Sequence, residues 1–166
     1  ISLDLPFDRA DWDQAFSLMP ITTQKDWSRQ IQAQRQQNES AKPNTEFADW
    51  SLFLVGLMKE PGVPIGAGTD TPIGFAIPGY SLHAELEMLV RAGLSPMEAL
   101  SAATLEPARY FSLENSMGSI DAGKKADMIL LDKNPLDNIS HTKSITHVIS
   151  QGRILTEQDF RANHEI

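Results

Sequence analysis

The fold class is decided by one short stretch, Val63-Pro64-Ile65-Gly66-Ala67-Gly68-Thr69-Asp70, which is followed at once by Thr71-Pro72. The stretch is apolar, rich in small residues and preceded by Pro61-Gly62, a pattern that predicts a buried strand over 63–70. Asp70 closes this strand, because a proline two residues later cannot extend it. The small residues before Asp70 leave room for other groups to approach the backbone. An acidic side chain at the end of a buried strand is therefore the first candidate functional residue.

Asp70 has two interpretations at this point. In a (β/α)8 barrel the carboxyl ends of the strands form the active-site face. A carboxylate there can bind a divalent cation and take a proton from a metal-bound water. An aspartate beside a proline also fits an Asx-turn or a helix N-cap with no catalytic role. Spacing alone favours the turn, because such turns are common.

Helical patterns lie on both sides of this strand. Apolar side chains recur at helical spacing from Phe47 to Met58, which predicts a helix from Glu46 to the Pro61-Gly62 stop. Ser81 and Gly93 fit the N-cap and the C′ position of a second helix. Further helices are predicted near 8–18, near 23–37, after the capping sequence Ser95-Pro96-Met97-Glu98, and from Pro107 to about Phe111.

After Asn115 the pattern changes from helical to extended. Short apolar runs predict strands at 117–120, 127–132 and 145–155, and Gln151-Gly152 fits a two-residue hairpin turn inside the last run. The chain therefore divides into an α/β part, residues 1–114, and a β part, residues 115–166.

Composition excludes several kinds of partner and site. The chain has 166 residues, with 14 Lys+Arg against 22 Asp+Glu and a net charge of −8, which argues against nucleic acid and against an anionic membrane surface. It has no cysteine, so a metal would need oxygen or nitrogen ligands. No apolar run is long enough to span a membrane. The first residues do not resemble a natural start, so the location stays open, with the cytoplasm slightly favoured over the periplasm or secretion.

The stretch Gly66-Ala67-Gly68-Thr69-Asp70-Thr71-Pro72 resembles the motif at barrel strand 8 of the amidohydrolase superfamily, in its imidazolonepropionase-like and prolidase-like branch. Further motifs match in the family's order: Pro78-Gly79-Tyr80-Ser81-Leu82-His83-Ala84-Glu85-Leu86, Ala92-Gly93-Leu94-Ser95-Pro96-Met97-Glu98-Ala99-Leu100, Ala103-Thr104-Leu105-Glu106-Pro107-Ala108-Arg109, residues 118–132, Asn134-Pro135-Leu136 and Val148-Ile149-Ser150-Gln151-Gly152-Arg153. Several motifs in order are specific, whereas a lone Gly-Thr-Asp would be weak.

The resemblance implies a fold and a metal site. It implies that residues 1–114 are the C-terminal part of a metal-dependent (β/α)8 (TIM) barrel, with strand 8 at 63–70, and that residues 115–166 supply strands of a small β-sandwich. It also implies one or two divalent metals, usually zinc, with Asp70 as metal ligand and general base.

The family's other ligands are a His-x-His on strand 1, a Lys or Glu on strand 4 and histidines on strands 5 and 6. None has a match here: these family ligands all precede the strand-8 aspartate, and this chain has no His-x-His. Its four histidines instead all follow Asp70: His83, His141, His147 and His164.

Other residues near the motif are weaker candidates. Thr71, Tyr80 and Ser81 lie in the loop after strand 8, which can form a pocket wall, so they are candidate substrate-binding residues. His83 and Glu87 are four apart on one helix face; a metal-binding pair is one interpretation and an exposed i, i+4 pair is the default one. The later histidines are expected to be structural.

These observations predict a metal-dependent hydrolase of amide or other C–N bonds, which could be a peptidase or dipeptidase, acting on a small-molecule or peptide-like substrate. A single carboxylate holds zinc poorly, because a catalytic site normally has three protein ligands. We therefore expect this chain to be inactive alone, and to form a homo-oligomer or to require the N-terminal half of the barrel. The alternative is a non-catalytic fragment or subunit with an assembly or binding role.

Overall fold

The structure is a computed structural model and describes residues 6–38, 45–156 and 159. The helices and strands are α1 (Trp12–Phe16), α2 (Ile21–Asn38), α3 (Glu46–Lys59), α4 (Tyr80–Arg91), α5 (Pro96–Ala102), α6 (Leu105–Tyr110), β1 (Met128–Leu131), β2 (Ile145–Ser150) and β3 (Arg153–Leu155). Short 3-10 turns cover Pro6–Asp8, Ile73–Phe75 and Ile139–Lys143. No helix in these described ranges is both long and apolar enough to cross a bilayer.

The predicted capping signals of the central helices are largely confirmed. In α5, the Ser95 hydroxyl accepts a hydrogen bond from the Glu98 backbone at 3.3 Å, and the Glu98 carboxylate accepts one from the Ser95 backbone at 2.6 Å. This reciprocal box satisfies two of the backbone donors that every helix start leaves unpaired. Gly93, with a φ of 107°, follows the end of α4, where a left-handed backbone favours glycine.

One apolar core joins α4, α5 and the turn Ile139–Lys143. Its buried members are Leu86, Leu89, Leu94, Ala99, Ala102 and Ile139. Ala99 is fully buried, so its small side chain permits the close contact between helices. Ile65 and Ala67 pack against the same core and bring the stretch before Asp70 to its edge.

A second, aromatic core joins the N-terminal segment, residues 6–38, to the chain just after Asp70. Its buried side chains are Phe7, Trp12, Ile31 and Ile77, and half-buried neighbours include Phe16, Trp27 and Phe75. The first three buried residues come from the N-terminal segment and Ile77 from the loop before α4. The aromatic core therefore fixes these two parts of the chain to each other.

The three strands form an antiparallel sheet in the order β1-β2-β3. Gln151 and Gly152 link β2 to β3 with positive φ values of 50° and 80°, which is the backbone that a two-residue hairpin turn requires. The predicted strands at 127–132 and 145–155 and their turn are confirmed. The predicted strand at 117–120 is wrong: Gly118 has a φ of 92° and the Met117 N–H donates to the Leu113 carbonyl, so the chain turns there.

The strand predicted at 63–70 is also not formed. The backbone N–H groups of this stretch donate to Met58 O, Ala102 O and the Glu85 carboxylate, from Val63, Ala67 and Gly68 respectively. A strand needs a neighbouring strand as its hydrogen-bond partner, and within the described ranges these residues lie beside α4 and α5 instead. The mixed helix and sheet composition is as predicted, but the described part of the chain shows no barrel strand.

Helix starts in the N-terminal half differ in detail from the prediction. The pattern at 8–18 forms only the short α1 preceded by a 3-10 turn, whereas α2 and α3 match the predicted ranges closely. Gly79, rather than Ser81, is the N-cap of α4. The Ser81 hydroxyl instead accepts a hydrogen bond from the Ile77 N–H at 2.8 Å.

Candidate functional site around Asp70

Asp70 lies at a sharp change of direction. Its φ is 50°, a left-handed conformation that aspartate tolerates better than most residues. Its carbonyl accepts a hydrogen bond from the Ile73 N–H at 3.0 Å, which closes a turn at the start of the loop 71–79. The Asp70 side chain is exposed. The carboxylate is therefore accessible to a ligand, and its backbone geometry is that of a turn.

The loop 71–79 contains a second unusual conformation. Phe75 has a φ of 65°, an outlier for a bulky side chain. This conformation costs about 1–3 kcal/mol and persists only where neighbouring contacts hold it. The Phe75 ring packs edge-on against Phe7 at 5.4 Å and against Trp27 at 5.5 Å between ring centroids. Each aromatic pair contributes about 0.5–1.5 kcal/mol beyond its buried area. The two contacts are thus of the size needed to offset the backbone strain.

A cavity of about 240 Å³ lies beside the residue before Asp70. Its walls include Thr69, Tyr80, Ser81 and Glu85, together with Pro6 and Arg9 of the N-terminal segment. Two of the three predicted substrate-binding residues, Tyr80 and Ser81, thus line a cavity next to the candidate base. Thr71 is half-buried in the loop and is not part of this cavity wall.

Glu85 is a site residue that the sequence reasoning missed. Its carboxylate is half-buried in the cavity wall and accepts a hydrogen bond from the Gly68 N–H at 3.4 Å. Burial raises the pKa of Glu85, and the Gly68 hydrogen bond only partly opposes this effect. The signal that could have identified it is its spacing: Glu85 follows Ser81 by four residues and so lies on the same face of α4.

The hydroxyl groups of Tyr80 and Ser81 have partners within the chain. Tyr80 donates to the Asp11 carboxylate at 2.5 Å; burial and this hydrogen bond raise the pKa of Tyr80 to about 12. Tyr80 is therefore protonated at neutral pH. The Ser81 hydroxyl accepts from Ile77 and can still donate its own proton to a ligand.

Tyr80 is part of a half-buried charge network, defined here as Arg9, Asp11, Tyr80, Glu87 and Lys143. Arg9 bonds Glu87 at 2.7 Å, and Lys143 bridges Glu87 at 3.1 Å and Asp11 at 2.6 Å. Burial opposes ionisation of Asp11, but the hydrogen bonds from Lys143 and Tyr80 outweigh it and lower its pKa to about 2. The network thus connects the N-terminal segment, α4 and the 3-10 turn at Ile139–Lys143.

The exposed pair predicted for His83 and Glu87 is wrong. Both side chains are half-buried, and Glu87 belongs to the charge network. His83 lies 2.9 Å from the Thr142 hydroxyl through Nδ1. Burial, followed by the nearby charge of Lys143, lowers the pKa of His83 despite the opposing effects of Glu87 and Asp11.

A complete metal site does not fit the described residues. Across 6–38, 45–156 and 159, no group of three or more His, Asp or Glu side chains could hold a metal ion, whereas a catalytic zinc normally has three protein ligands. His141 contacts the Asn134 carbonyl at 2.7 Å and His147 the Thr146 hydroxyl at 3.2 Å, both in the β part. His164 lies outside the described residues. Asp70 could thus act as one ligand of a metal site, but the described residues do not complete that site.

A larger cavity of about 910 Å³ lies between α6 and the sheet. Its walls are mostly apolar and include Ala108, Phe111, Ile129 and Val148. None of its lining residues belongs to the loop 71–79, so this cavity is separate from the one beside Asp70.

Comparison with known proteins identifies related sequences and structures. Residues 42–155 match the sequence profile of the amidohydrolase family. The chain is 37% identical over 98 residues to the ochratoxinase of Aspergillus niger, covering 56% of this chain and 19% of that protein. It is 32% identical over 113 residues to the imidazolonepropionase of Streptococcus gordonii, covering 59% of this chain and 35% of that protein.

A solved structure shares the arrangement. The crystal structure of a Xaa-Pro dipeptidase with methionine in its active site superposes with a TM-score of 0.57 at 33% identity, over 63% of this chain and 25% of that one. The chain therefore spans between about a fifth and a third of the length of these three relatives.

Proposed function

The chain belongs to the amidohydrolase family, and on that premise we propose that the full-length protein containing it hydrolyses an amide or another C–N bond. The matched range includes Asp70, its loop and the cavity residues of α4. The single observation that carries the proposal is the exposed Asp70 carboxylate, which directly follows Thr69, a residue of the cavity wall that lies within the matched range. The similar ochratoxinase, imidazolonepropionase and Xaa-Pro dipeptidase are hydrolytic enzymes, which agrees with this reaction class.

Asp70 would act as the general base. Its carboxylate takes one proton from the attacking water as the water oxygen bonds to the substrate carbonyl carbon. The same proton then passes to the leaving nitrogen as the C–N bond breaks, which regenerates the carboxylate. The Asp70 carboxylate is exposed and lies on a turn, so it can reach a substrate carbonyl without any rearrangement of a helix or strand.

Divalent metal dependence, with zinc as the expected ion, is part of the proposal. Asp70 is the residue of this chain that would bind the ion, and a bound ion would supply polarisation of the substrate carbonyl. The described residues do not complete such a site, so its remaining ligands would have to come from outside them.

The substrate is proposed to be a small molecule or a short peptide. The cavity of about 240 Å³ is smaller than a typical pocket for a drug-sized ligand, so it would hold one group of the substrate rather than the whole. Tyr80 and Ser81 would contact that group, the serine as a hydrogen-bond donor. Thr71, in the loop beside Asp70, would contact the substrate outside the cavity.

The test is a substitution in the full-length protein. Asp70→Asn keeps the size of the side chain and removes its basicity, so we expect turnover of a responsive amide from a panel of dipeptides and N-acyl amino acids to fall by about 10²–10⁴-fold. The matched control is Asp13→Asn, an exposed aspartate of α1, which we expect to keep wild-type activity. Circular dichroism would verify that both variants fold. An Asp70→Asn protein with near wild-type turnover would remove Asp70 from its proposed role.

A non-catalytic assembly role is the second candidate, favoured by one observation. Phe47, Trp50 and Phe53 of α3 are exposed by 77%, 55% and 61%, and such a group of exposed apolar side chains usually marks a contact surface. If the purified full-length protein bound a partner and hydrolysed no member of the panel with any added divalent metal, this role would replace the enzymatic one.

A further inference from the structure

The left-handed Phe75 is held from three directions by the N-terminal segment. Phe7 and Trp27 pack edge-on against its ring. The Trp12 indole N–H points to the Phe75 carbonyl at 3.5 Å. A residue in an unfavourable conformation persists only where its surroundings determine it this fully, and here all three groups come from residues 7–27.

The conformation of Phe75 is connected to Asp70 by two consecutive turns. The Ile73 N–H donates to the Asp70 carbonyl at 3.0 Å, and the Ala76 N–H donates to the Ile73 carbonyl at 3.1 Å. Phe75 lies inside the second turn. If Phe75 left its left-handed conformation, the turns would have to rearrange, and the backbone at Asp70 would move with them.

The N-terminal segment is itself fixed to α4 by the charge network. Asp11 accepts hydrogen bonds from Tyr80 and Lys143, and Arg9 bonds Glu87. Tyr80 and Glu87 both belong to α4, which begins immediately after the loop. The segment thus contacts the loop at Phe75, and it also contacts α4, the helix that follows the loop. The two sets of contacts together hold the loop in place.

The segment lies outside the range that matches the amidohydrolase family, which begins at residue 42. The family match therefore covers Asp70 and its loop but not the aromatic side chains that determine the loop's shape.

We propose that Phe7 and Trp27 are positioning residues for Asp70, acting through the left-handed Phe75 to hold the loop 71–79 in its active shape. The inference rests on the proposed function of Asp70. It assigns to the N-terminal segment a role in catalysis without contact with the substrate.

The experiment compares Trp27→Leu and Phe7→Leu with wild type in the full-length protein. We expect amide hydrogen exchange at 71–77 to rise by about tenfold or more, because the loop opens locally without global unfolding. We expect kcat to fall by about 10- to 100-fold while KM changes much less, because the misplaced group is the base. The conservative Trp27→Phe retains an aromatic ring against Phe75, and it should restore most of both properties.

The matched control is Phe16→Leu. Phe16 stacks on Trp12 and Trp27 at 4.3 Å and 6.0 Å in the same aromatic core, and among the described residues it makes no ring contact with Phe75. Its loss loosens the core without removing a contact to the loop. We expect it to change exchange at 71–77 and kcat by less than about threefold.

The outcomes separate this inference from the proposed function. Unchanged exchange at 71–77 in Trp27→Leu, or a rise equal to that in Phe16→Leu, would overturn the positioning role. So would a rise in exchange with unchanged kcat, in a protein that Asp70→Asn inactivates. Retained turnover in Asp70→Asn would instead refute the proposed function. In that case exchange at 71–77 alone would decide whether Phe7 and Trp27 hold the loop.

Discussion

Gly118 offers a quantitative test of how the β part packs on the helical part. It has a φ of 92°, and a Cβ added there would lie 2.6 Å from the Ala108 Cβ, 3.0 Å from the Thr104 carbonyl oxygen and 3.2 Å from the Leu105 Cα. Two of these three neighbours are backbone atoms of the segment that forms α6. They cannot move aside as a flexible side chain would, so Gly118→Ala must displace α6 from the residues that lead into the sheet.

The magnitude has two contributions. A non-glycine residue at a positive φ costs about 1–3 kcal/mol, and overpacking a closed contact costs about 1–3 kcal/mol more. Gly123→Ala is the matched control, since Gly123 has a φ of 89° and no atom within 4 Å of the added Cβ. We therefore expect Gly118→Ala to be less stable than Gly123→Ala by about 1–3 kcal/mol.

The assay is urea unfolding of both variants in the full-length protein, combined with hydrogen exchange at 105–110 to report the opening of α6 locally. Gly118→Ala should accelerate exchange in α6, whereas Gly123→Ala should leave it close to wild type. Equal destabilisation by the two substitutions would refute the close packing of Gly118 on α6, since the backbone strain is common to both.

Three further predictions concern charge, capping and metal. Because the pKa of Asp11 is lowered to about 2 from 3.8, its contribution is complete above pH 3.8 and is lost as the pH falls toward 2. Asp11→Asn should then cost about 1 kcal/mol at pH 7, after allowance for the partial exposure of the carboxylate, and reduce the stability loss between pH 4 and 2 in unfolding experiments. Ser95→Ala removes the N-cap of α5 and should cost about 1 kcal/mol in urea unfolding, whereas the exposed Ser28→Ala of α2 should stay within about 0.5 kcal/mol. A chelator should abolish turnover of the full-length protein and added zinc should restore it, while hydrogen exchange at 86–102 stays unchanged; full activity in chelator would contradict the proposed metal dependence.

Local signals in the sequence were sufficient for most helices and for the hairpin. The Ser95–Glu98 box, the glycine after α4 and the Gln151-Gly152 turn each depend on residues a few positions apart. Each could therefore be predicted from spacing, and each is confirmed in the structure. The capping role of Ser81 was wrong for a related reason: Gly79, two residues earlier, adopts the positive φ from which α4 begins.

The charge network and the aromatic core could not be predicted in the same way. Arg9 and Glu87 are 78 residues apart in the sequence, and Asp11 and Lys143 are 132 apart. No periodicity connects such residues, because their proximity is set by how the N-terminal segment packs against α4 and the turn at Ile139–Lys143. Glu87 was paired with His83 in the prediction because only the helix spacing was visible. The structure gives it two cations from distant segments instead.

The missing strand at 63–70 and the incomplete ligand set around Asp70 have the same physical origin. A barrel strand is defined by hydrogen bonds to neighbouring strands, and a barrel metal site is built by side chains from several strand ends. Within the described residues this stretch has helices as neighbours, so its backbone has no strand to pair with, and no group of metal-binding side chains is found there. The two features should therefore appear together. A structure of the full-length protein in which 63–70 pairs with strands on both sides should also bring nitrogen or oxygen ligands within coordination distance of Asp70. Paired strands with no such ligands near Asp70 would contradict the proposed metal site while leaving the barrel assignment intact.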